Sequence, residues 1–167
     1  GAHAFWRQLD ALVPTSDAAA RRQSAWLGAE LALAAGQPQQ ALDLVERHPA
    51  PQLRPAVLLH AQAQLALQRP ALASERLQTW VTTHPQDAQA WQWLAQAWQA
   101  QNQPLRALRA QAEAQVAIRD FSAAQDRLKA AQDLARRGSN QDHIEASIID
   151  TRLRAVTELL REEARKQ

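Results

Sequence analysis

The sequence predicts an all-α fold, an α–α solenoid of stacked helix pairs, and two observations support this. The first is composition: Ala and Leu dominate the hydrophobic 46% of the 167 residues, Gln is abundant, and aromatic residues make up only 5%. The abundant residues favour helices, whereas the β-branched and aromatic residues that favour strands are scarce. The second is a pattern of helix, turn, Pro and Ala that recurs along the chain. An all-β protein is therefore excluded, and an α/β sheet is disfavoured.

Three segments, which begin at Ala25, Val57 and Ala90, align with one another. In each, a predicted helix ends at a turn containing Gln, Gly or Asn, a Pro follows, and an Ala comes three residues after the Pro. Both sets are spaced by 32 and then 34 residues, at Pro38, Pro70 and Pro104 and at Ala41, Ala73 and Ala107. Pro is tolerated at the first position of a helix, because the missing N–H would have no partner there. A period of about 34 residues predicts two helices per repeat.

The third segment carries the most specific motif. The stretch AWQWLAQAW resembles the W-x-x-L-G-x-x-Y pattern in the first helix of the tetratricopeptide repeat (TPR), with Trp91, Leu94, Ala95 and Trp98 in the four places. The stretch TTHPQDAQAW resembles the junction between two such repeats. The resemblance implies a right-handed TPR superhelix in which the first helix of each unit, helix A, lines a concave face. It also implies small residues where helices A and B meet, at Ala29, Ala61, Ala95 and Ala112 in helix A and at Ala41, Ala73, Ala107 and Ala124 in helix B.

The predicted organisation begins with an N-terminal helix in residues 1–14, which places Phe5, Trp6, Leu9 and Leu12 on one face and ends at Pro14. Residues 15–138 form the array of about 3.5–4 repeats, with units at 21–51, 54–87, 88–119 and an overlapping 105–138. The overlap is predicted because Ala124 lies 17 residues, half a repeat, after Ala107. The helix Leu105–Ile118 therefore closes one unit and opens the next.

Residues 139–167 are predicted to form a short loop and a C-terminal capping helix. Asp142 and Glu145 resemble a capping box at the start of that helix. Its apolar stripe, which would shield the end of the apolar stack, comprises Ile144, Ile148, Ile149, Leu153, Val156 and Leu160. A membrane-surface helix is the alternative, disfavoured because the carboxylates of Glu158, Glu162 and Glu163 would repel anionic lipid.

No catalytic constellation is recognisable, so the chain is predicted not to be an enzyme by itself and to need no cofactor. The absence of Cys excludes disulfides and thiolate metal sites, and neither H-E-x-x-H nor a Gly-rich phosphate loop is present. All five histidines are interpreted as surface or loop residues: His3, His48, His60, His84 and His143. A formal net charge of +2 does not indicate nucleic-acid binding. No apolar run is long enough to span a bilayer.

A protein or peptide ligand is instead expected on the concave face of the repeats. The repeat alignment places there Gln23, Trp26, Glu30 and Leu33 in the first unit, Leu58, Gln62 and Leu65 in the second, Gln89, Gln92, Gln96 and Gln99 in the third, and Arg106, Arg109 and Glu113 in the fourth. Amides both donate and accept hydrogen bonds and so suit a peptide backbone, while the arginines suit a carboxylate. The alternative is that these are solvated, helix-favouring glutamines in a Gln-rich chain. The carboxylate clamp of chaperone-binding TPR domains is disfavoured, because its Lys and Asn are missing.

The tryptophans divide into two groups. Trp91 and Trp98 fit the apolar ridge of helix A, and Trp80 fits the facing ridge of helix B. Trp26 and Trp93 fit the core less well, and either is a candidate exposed anchor for a partner.

The end of the chain resembles one family in particular. The stretch IEASIIDTRLRAVTELLRE is similar to an S-x-I-D-A-R-L-x-x-L pattern, with Ser147, Ile149, Asp150, Thr151, Arg152 and Leu153 in its places. That pattern follows the last repeat in bacterial envelope zinc metallopeptidases of the H-E-x-x-H, β-barrel assembly-enhancing type. The resemblance implies a substrate- or partner-binding domain in the periplasm, which docks onto a protease domain outside this chain and serves outer-membrane protein quality control. Zinc would belong to that other domain, and no catalytic residue carries over.

The absence of Met from the 167 residues agrees with the expectation that this chain is a piece of a longer protein. Two other functions stay open. One is a stand-alone TPR scaffold, in the cytoplasm or in an envelope assembly complex. The other is a helical oligomerisation module that uses Trp26 and the last helix.

Overall fold

The computed structural model describes residues 1–138 and 142–167, and within them all regular structure is helical. Residues 139–141 of the predicted loop at 139–142 lie outside the described residues. The described helices are α1 (Ala2–Leu12), α2 (Ala18–Ala34), α3 (Pro38–Arg47), α4 (Arg54–Ala66), α5 (Pro70–Thr83), α6 (Ala88–Ala100), α7 (Pro104–Ala117), α8 (Phe121–Arg137) and α9 (His143–Arg165). Helices that follow one another pack together, which confirms the all-α prediction and is compatible with an α-solenoid.

The chain divides into two compact units, Gly1–Arg76 and Leu77–Gln167, with the boundary inside α5. In the first unit, α1 packs on α2, α2 on α3 and α3 on α4, and α2 also touches α4. In the second unit, α6 packs on α7, α7 on α8 and α8 on α9, and α7 also touches α9. In both units, therefore, a helix contacts its neighbour in sequence and a helix two places further on.

The same turn closes four of the helices. Gly36, Gln68, Asn102 and Arg119 follow α2, α4, α6 and α7 with φ of +73°, +61°, +56° and +64°. The N–H of the next residue donates back across the turn, as from Gln37 to the carbonyl of Ala32 at 2.8 Å and from Gln103 to that of Trp98 at 2.9 Å. This is the hydrogen bond of a Schellman motif, which ends a helix with one left-handed residue. The sequence repeat is therefore also a backbone repeat.

Local signals also begin the helices. Asp17, Asp87, Asp120 and Asp142 cap α2, α6, α8 and α9, and each carboxylate accepts from the backbone N–H three residues on. Pro38, Pro70 and Pro104 are the first residues of α3, α5 and α7, as the spacing predicts. The predicted small residues of helices A and B are all at most 4% exposed, which confirms that they lie in the helix contacts: Ala29, Ala41, Ala61, Ala73, Ala95, Ala107, Ala112 and Ala124.

The core of the first unit gathers α1, α2, α3 and α4 around apolar side chains that include Ala32, Leu42 and Leu59. From α1 only Trp6 is buried, and its indole Nε1 donates to the backbone carbonyl of Ser24 at 2.8 Å. The other residues of the predicted apolar face of α1 remain exposed: Phe5 (63%), Leu9 (41%) and Leu12 (78%). The physical reason is that α1 meets α2 through the side that carries Trp6 and Asp10, because the Asp10 carboxylate accepts from the Ser24 hydroxyl at 2.6 Å.

The second unit has a core between α7, α8 and α9, centred on Phe121, Leu128 and Ile149. The amide of Gln125 donates to the Thr157 hydroxyl at 3.0 Å, and the amide of Gln132 donates to Asp150 at 2.8 Å, so α8 and α9 run antiparallel. The predicted apolar stripe of α9 holds for Ile149 and Val156, which are fully buried. It is wrong for Ile144 and Ile148, which are 78% and 37% exposed. Glu145, at 3% exposure, takes the inward place in the first turn instead.

Candidate functional site

The four glutamines of α6 form one exposed face in the second unit. Gln89, Gln92, Gln96 and Gln99 are all exposed, whereas Trp91, Leu94 and Trp98 on the other side of the helix are buried. The separations of three, four and three residues place the amides in one row, which is about 15 Å long at the rise of an α-helix. The four amides therefore lie on one solvent-facing side of α6, and its identity as the concave face of a superhelix stays a prediction.

The amides of this row are largely uncommitted. Within the described ranges, Gln92, Gln96 and Gln99 make no side-chain hydrogen bond, and Gln89 does have an interaction. Each free amide offers two N–H donors and a carbonyl acceptor. The row can therefore supply donors and acceptors to another chain without first giving up bonds inside the protein.

A pocket of about 340 Å³ lies beside the same helix. Its walls come from the end of α5 and the turn after it, from α6 and α7, and from α9, with the lining residues Gln78, Val81, Thr82, Pro85, Trp91, Trp98, Arg109, Glu113 and Arg152. This volume is at the lower end of the range of ligand pockets, roughly 300–1,000 Å³. The pocket is thus large enough for one side chain or a small ligand, and too small for a folded segment.

Tryptophans fix the shape of the pocket. Trp91 is 8% exposed and its indole Nε1 donates to the carbonyl of Pro85 at 2.9 Å, while Trp98 is 2% exposed. The prediction of core positions for these two is confirmed. Trp80 is only half-buried: its Nε1 donates to Asp87 at 3.0 Å, and its ring stacks on His84 with the centroids 3.6 Å apart. These bonds tie the end of α5 to the start of α6 and hold the pocket wall in place.

Two ion pairs join α7 to α9 at this site. The Arg109 guanidinium donates to both carboxylate oxygens of Glu145 and lies over Trp98, 5.5 Å from the ring centroid. The second pair has the opposite polarity, with Arg152 of α9 donating to Glu113 of α7 at 3.0 Å. Arg106 adds weaker contacts, 3.8 Å to Asp142 and 3.9 Å to Glu145. The two arginines predicted to meet a ligand carboxylate are therefore already paired with carboxylates of this chain.

The predicted residues of the first unit form a separate set. Gln23 and Glu30 are exposed, and Gln62, Leu33 and Leu65 are half-buried. Leu58 is only 5% exposed, so its predicted place on an open face is wrong. Trp26 packs against the apolar core, and the Arg22 guanidinium lies 5.4 Å from its ring centroid. Trp26 is therefore half-buried, and its role as an anchor for a partner stays a prediction. Trp93, the other candidate anchor, is half-buried.

One predicted surface residue lies in an unexpected environment. His60 of α4 is half-buried and contacts the amide of Gln64, with Nε2 to Nε2 at 3.3 Å. Burial, together with the charge of Arg76, lowers the pKa of His60 to about 4. In the repeat alignment His60 and Gln64 take the places of Leu94 and Trp98, which are buried. The alignment therefore indicated that both side chains face a neighbouring helix. The prediction of an ordinary surface histidine is wrong.

Comparison with known proteins does not add to this picture. No protein-family model matches the chain, and no curated protein sequence matches it.

Within residues 1–138 and 142–167, no group of three or more His, Cys, Asp or Glu is placed to hold a metal ion. None of the helices described there combines the length and apolar character needed to cross a bilayer.

Proposed function

We propose that this chain is a non-catalytic TPR domain that binds an extended segment of another protein along the glutamine row of α6. The observation that carries the proposal is the exposed row in which Gln92, Gln96 and Gln99 have no partner within the described residues. A row of about 15 Å matches four to five residues of an extended peptide at about 3.3 Å each. The amides would bind backbone N–H and C=O groups, so recognition would depend mainly on an extended conformation.

The TPR assignment draws its support from the repeated Schellman turn, the buried alanines and the contacts between alternate helices. The alternate contacts join α2 to α4 in the first unit and α7 to α9 in the second. Even-numbered helices pair in one unit and odd-numbered helices in the other. If α7 closes one repeat and opens the next, the contacts between alternate helices change from even-numbered to odd-numbered helices in this way.

The larger setting that we propose is the substrate- or partner-binding domain of a bacterial envelope zinc metallopeptidase, located in the periplasm. Its support is the motif around Ser147–Leu153, two residues of which have clear structural roles. Ile149 is fully buried between α8 and α9, and Arg152 pairs with Glu113. A stand-alone TPR scaffold in a cytoplasmic or envelope assembly complex is the alternative, because the row of α6 would serve both. The sequence of the full-length protein decides between them, since the first requires an upstream H-E-x-x-H domain.

The binding function is tested with the whole chain and a phage-displayed library of random dodecapeptides. We expect enriched peptides whose affinity falls at least tenfold in the double variant Gln92→Ala and Gln96→Ala, while its melting temperature stays within about 2 °C because both amides are exposed. The matched control is Gln8→Ala with Gln52→Ala, two exposed glutamines of the first unit, and it should leave the affinity unchanged. Failure to enrich any peptide, or equal affinity of the two double variants, would reject the proposal.

A further inference from the structure

The pocket beside the glutamine row has apolar, polar and charged lining residues. Trp91, Trp98, Val81 and Pro85 form an apolar wall. Gln78 and Thr82 are exposed and lie at the rim, where the Thr82 hydroxyl donates to the carbonyl of Gln78 at 2.8 Å and keeps its acceptor lone pairs free for another donor. Arg109, Glu113 and Arg152 complete the lining. A pocket that combines apolar side chains with a few polar groups is typical of a site that buries an apolar group and orients what is attached to it.

The charges around the pocket cancel. Arg109 pairs with Glu145 and Arg152 pairs with Glu113, and each ion pair is bidentate, with two hydrogen bonds. The carboxylate of Glu145 is 4% exposed and that of Glu113 is 12% exposed, so both carboxylates are mostly removed from water, while the Arg152 side chain is 34% exposed. An acidic ligand group would have to displace one of these carboxylates, and a basic group would have to compete with a guanidinium. Breaking a pair of this kind leaves a buried charge without a partner, which is costly. The electrostatics therefore favour an uncharged ligand group.

The pocket and the row share one helix. Gln92 follows Trp91 directly and Gln99 follows Trp98, so each amide lies about 100° around α6 from a pocket tryptophan. On the surface of a helix about 10–12 Å wide, this angle corresponds to roughly 9–10 Å, or about three residues of an extended peptide. A peptide that leaves the row toward Trp91 or Trp98 therefore reaches the pocket within about three residues.

We propose that the pocket receives one uncharged aromatic or branched aliphatic side chain of the peptide bound to the glutamine row. This inference rests on the proposed peptide-binding function and adds the anchor that gives it specificity. The ring or branched chain contacts Pro85 and the small accessible parts of Trp91 and Trp98, and the backbone N–H beside it donates to Thr82. Tight binders thus share one apolar residue at a fixed place among otherwise variable polar residues.

The test uses the peptides selected by the whole chain. The strongest binder is resynthesised with its shared apolar residue replaced by Ala, Asp or Lys, and its affinity is measured by fluorescence anisotropy. We expect a loss of at least tenfold for Asp and for Lys, and a smaller loss for Ala. In the protein, Thr82→Phe fills the pocket from its exposed rim and lowers the affinity at least tenfold, and Gln78→Trp does so from the other side of the rim. Thr83→Phe, one residue further on and outside the lining, is the matched control and changes the affinity less than twofold.

The outcomes separate the two proposals. Peptides that depend on Gln92 and Gln96 but share no residue, or share an Asp, Glu, Lys or Arg, would overturn the apolar anchor and leave the peptide-binding function standing. The same conclusion follows if Thr82→Phe and Thr83→Phe have equal effects. If the library yields no peptide at all, the proposed function fails and the anchor fails with it.

Discussion

Arg109 of α7 and Glu145 of α9 form a two-pronged ion pair between residues that are 36 positions apart in the chain. The second pair, Glu113 with Arg152, is 39 positions apart and reverses the charges. Arg109 precedes Glu113 in α7, and their partners follow the same order in α9, so α7 and α9 run parallel. Because the charge order is swapped between the two pairs, sliding α9 along α7 would place like charges together. The pairs therefore fix the register of the last helix.

Removing one partner of the buried pair should destabilise the second unit strongly. Glu145→Ala leaves the Arg109 guanidinium, which is 14% exposed, without its carboxylate. We expect a loss of about 3–5 kcal/mol in the free energy of unfolding, measured by urea denaturation followed by circular dichroism. Arg109→Met combined with Glu145→Leu should restore most of it, because an apolar pair of similar volume replaces the buried charges.

A control for this prediction is present on the same helix. Glu158 forms exposed pairs with Arg161 and Arg165 at 3.5 and 3.4 Å, so Glu158→Ala should cost less than about 1 kcal/mol. If Glu145→Ala is no more destabilising than Glu158→Ala, the ion pair does not secure α9.

Gly28 should tolerate no larger residue, because the indole of Trp6 lies directly on it. A Cβ at Gly28 would lie 2.3 Å from Cζ2 of Trp6, closer than side chains approach. Replacing Gly by Ala inside a helix ordinarily stabilises it by up to about 1 kcal/mol. Here we expect Gly28→Ala to destabilise the first unit by about 1–3 kcal/mol, as overpacking does. Thermal denaturation measures the loss, and the double variant with Trp6→Leu should show a much smaller one. A stabilised Gly28→Ala protein would mean that α1 does not dock on α2 through Trp6.

The repeated turn predicts a stabilising substitution. Gln68 occupies the left-handed position after α4 with φ of +61° and is exposed. A side chain there costs roughly 1 kcal/mol relative to Gly, which adopts this conformation readily. Gln68→Gly should therefore raise the free energy of unfolding by about 0.5–1 kcal/mol. Gly36→Ala, at the equivalent turn after α2 with φ of +73°, should lower it by a similar amount. The free energy of unfolding, measured by urea denaturation, should therefore change in opposite directions in the two variants. A change in the same direction would contradict the shared turn geometry.

Local signals were sufficient to predict where most helices begin and end. Pro38, Pro70 and Pro104 start helices, and the residues before them make the left-handed turn, because both effects depend only on neighbouring backbone. Buried alanines such as Ala61 and Ala107 followed from the repeat alignment, since close helix contacts exclude larger side chains.

Tertiary contacts could not be predicted in the same way. The sequence predicted a capping box formed by Asp142 and Glu145. The backbone N–H of Glu145 does donate to the Asp142 carboxylate, at 3.0 Å. Its carboxylate turns inward because Arg109, far away in sequence, lies opposite. Phe5 and Leu12 of α1 share an apolar face, but the side of a helix that is buried depends on which neighbour it meets. The pocket likewise combines residues of four separate helices and has no sequence signature.

His60 should make the first unit sensitive to acid. Its pKa is about 4 in the folded protein, lowered by burial and by Arg76, against the usual value of 6.5. Nδ1 is buried and has no partner in the described part of the chain, so a charged imidazole would gain nothing there. Between pH 6.5 and about 4 the unfolded chain binds a proton that the folded protein does not, so stability falls as the pH is lowered through this window. Above pH 6.5 this residue contributes no pH dependence.

The expected loss in the free energy of unfolding on acidification is about 1–2 kcal/mol. This is smaller than the pKa change alone would give, because the ring of His60 is partly exposed. Urea denaturation at pH 7.5 and pH 4.5 measures it against His60→Leu, which places at this position the residue that α6 has at Leu94. Carboxylates elsewhere titrate in both proteins, so the difference between the two isolates His60. We expect His60→Leu to lose less stability on acidification than the unmodified chain. His143→Gln, at an exposed histidine, should behave like the unmodified chain. If all three proteins lose equal stability, the imidazole is not held neutral by its surroundings, and the polar contact with Gln64 is open to water.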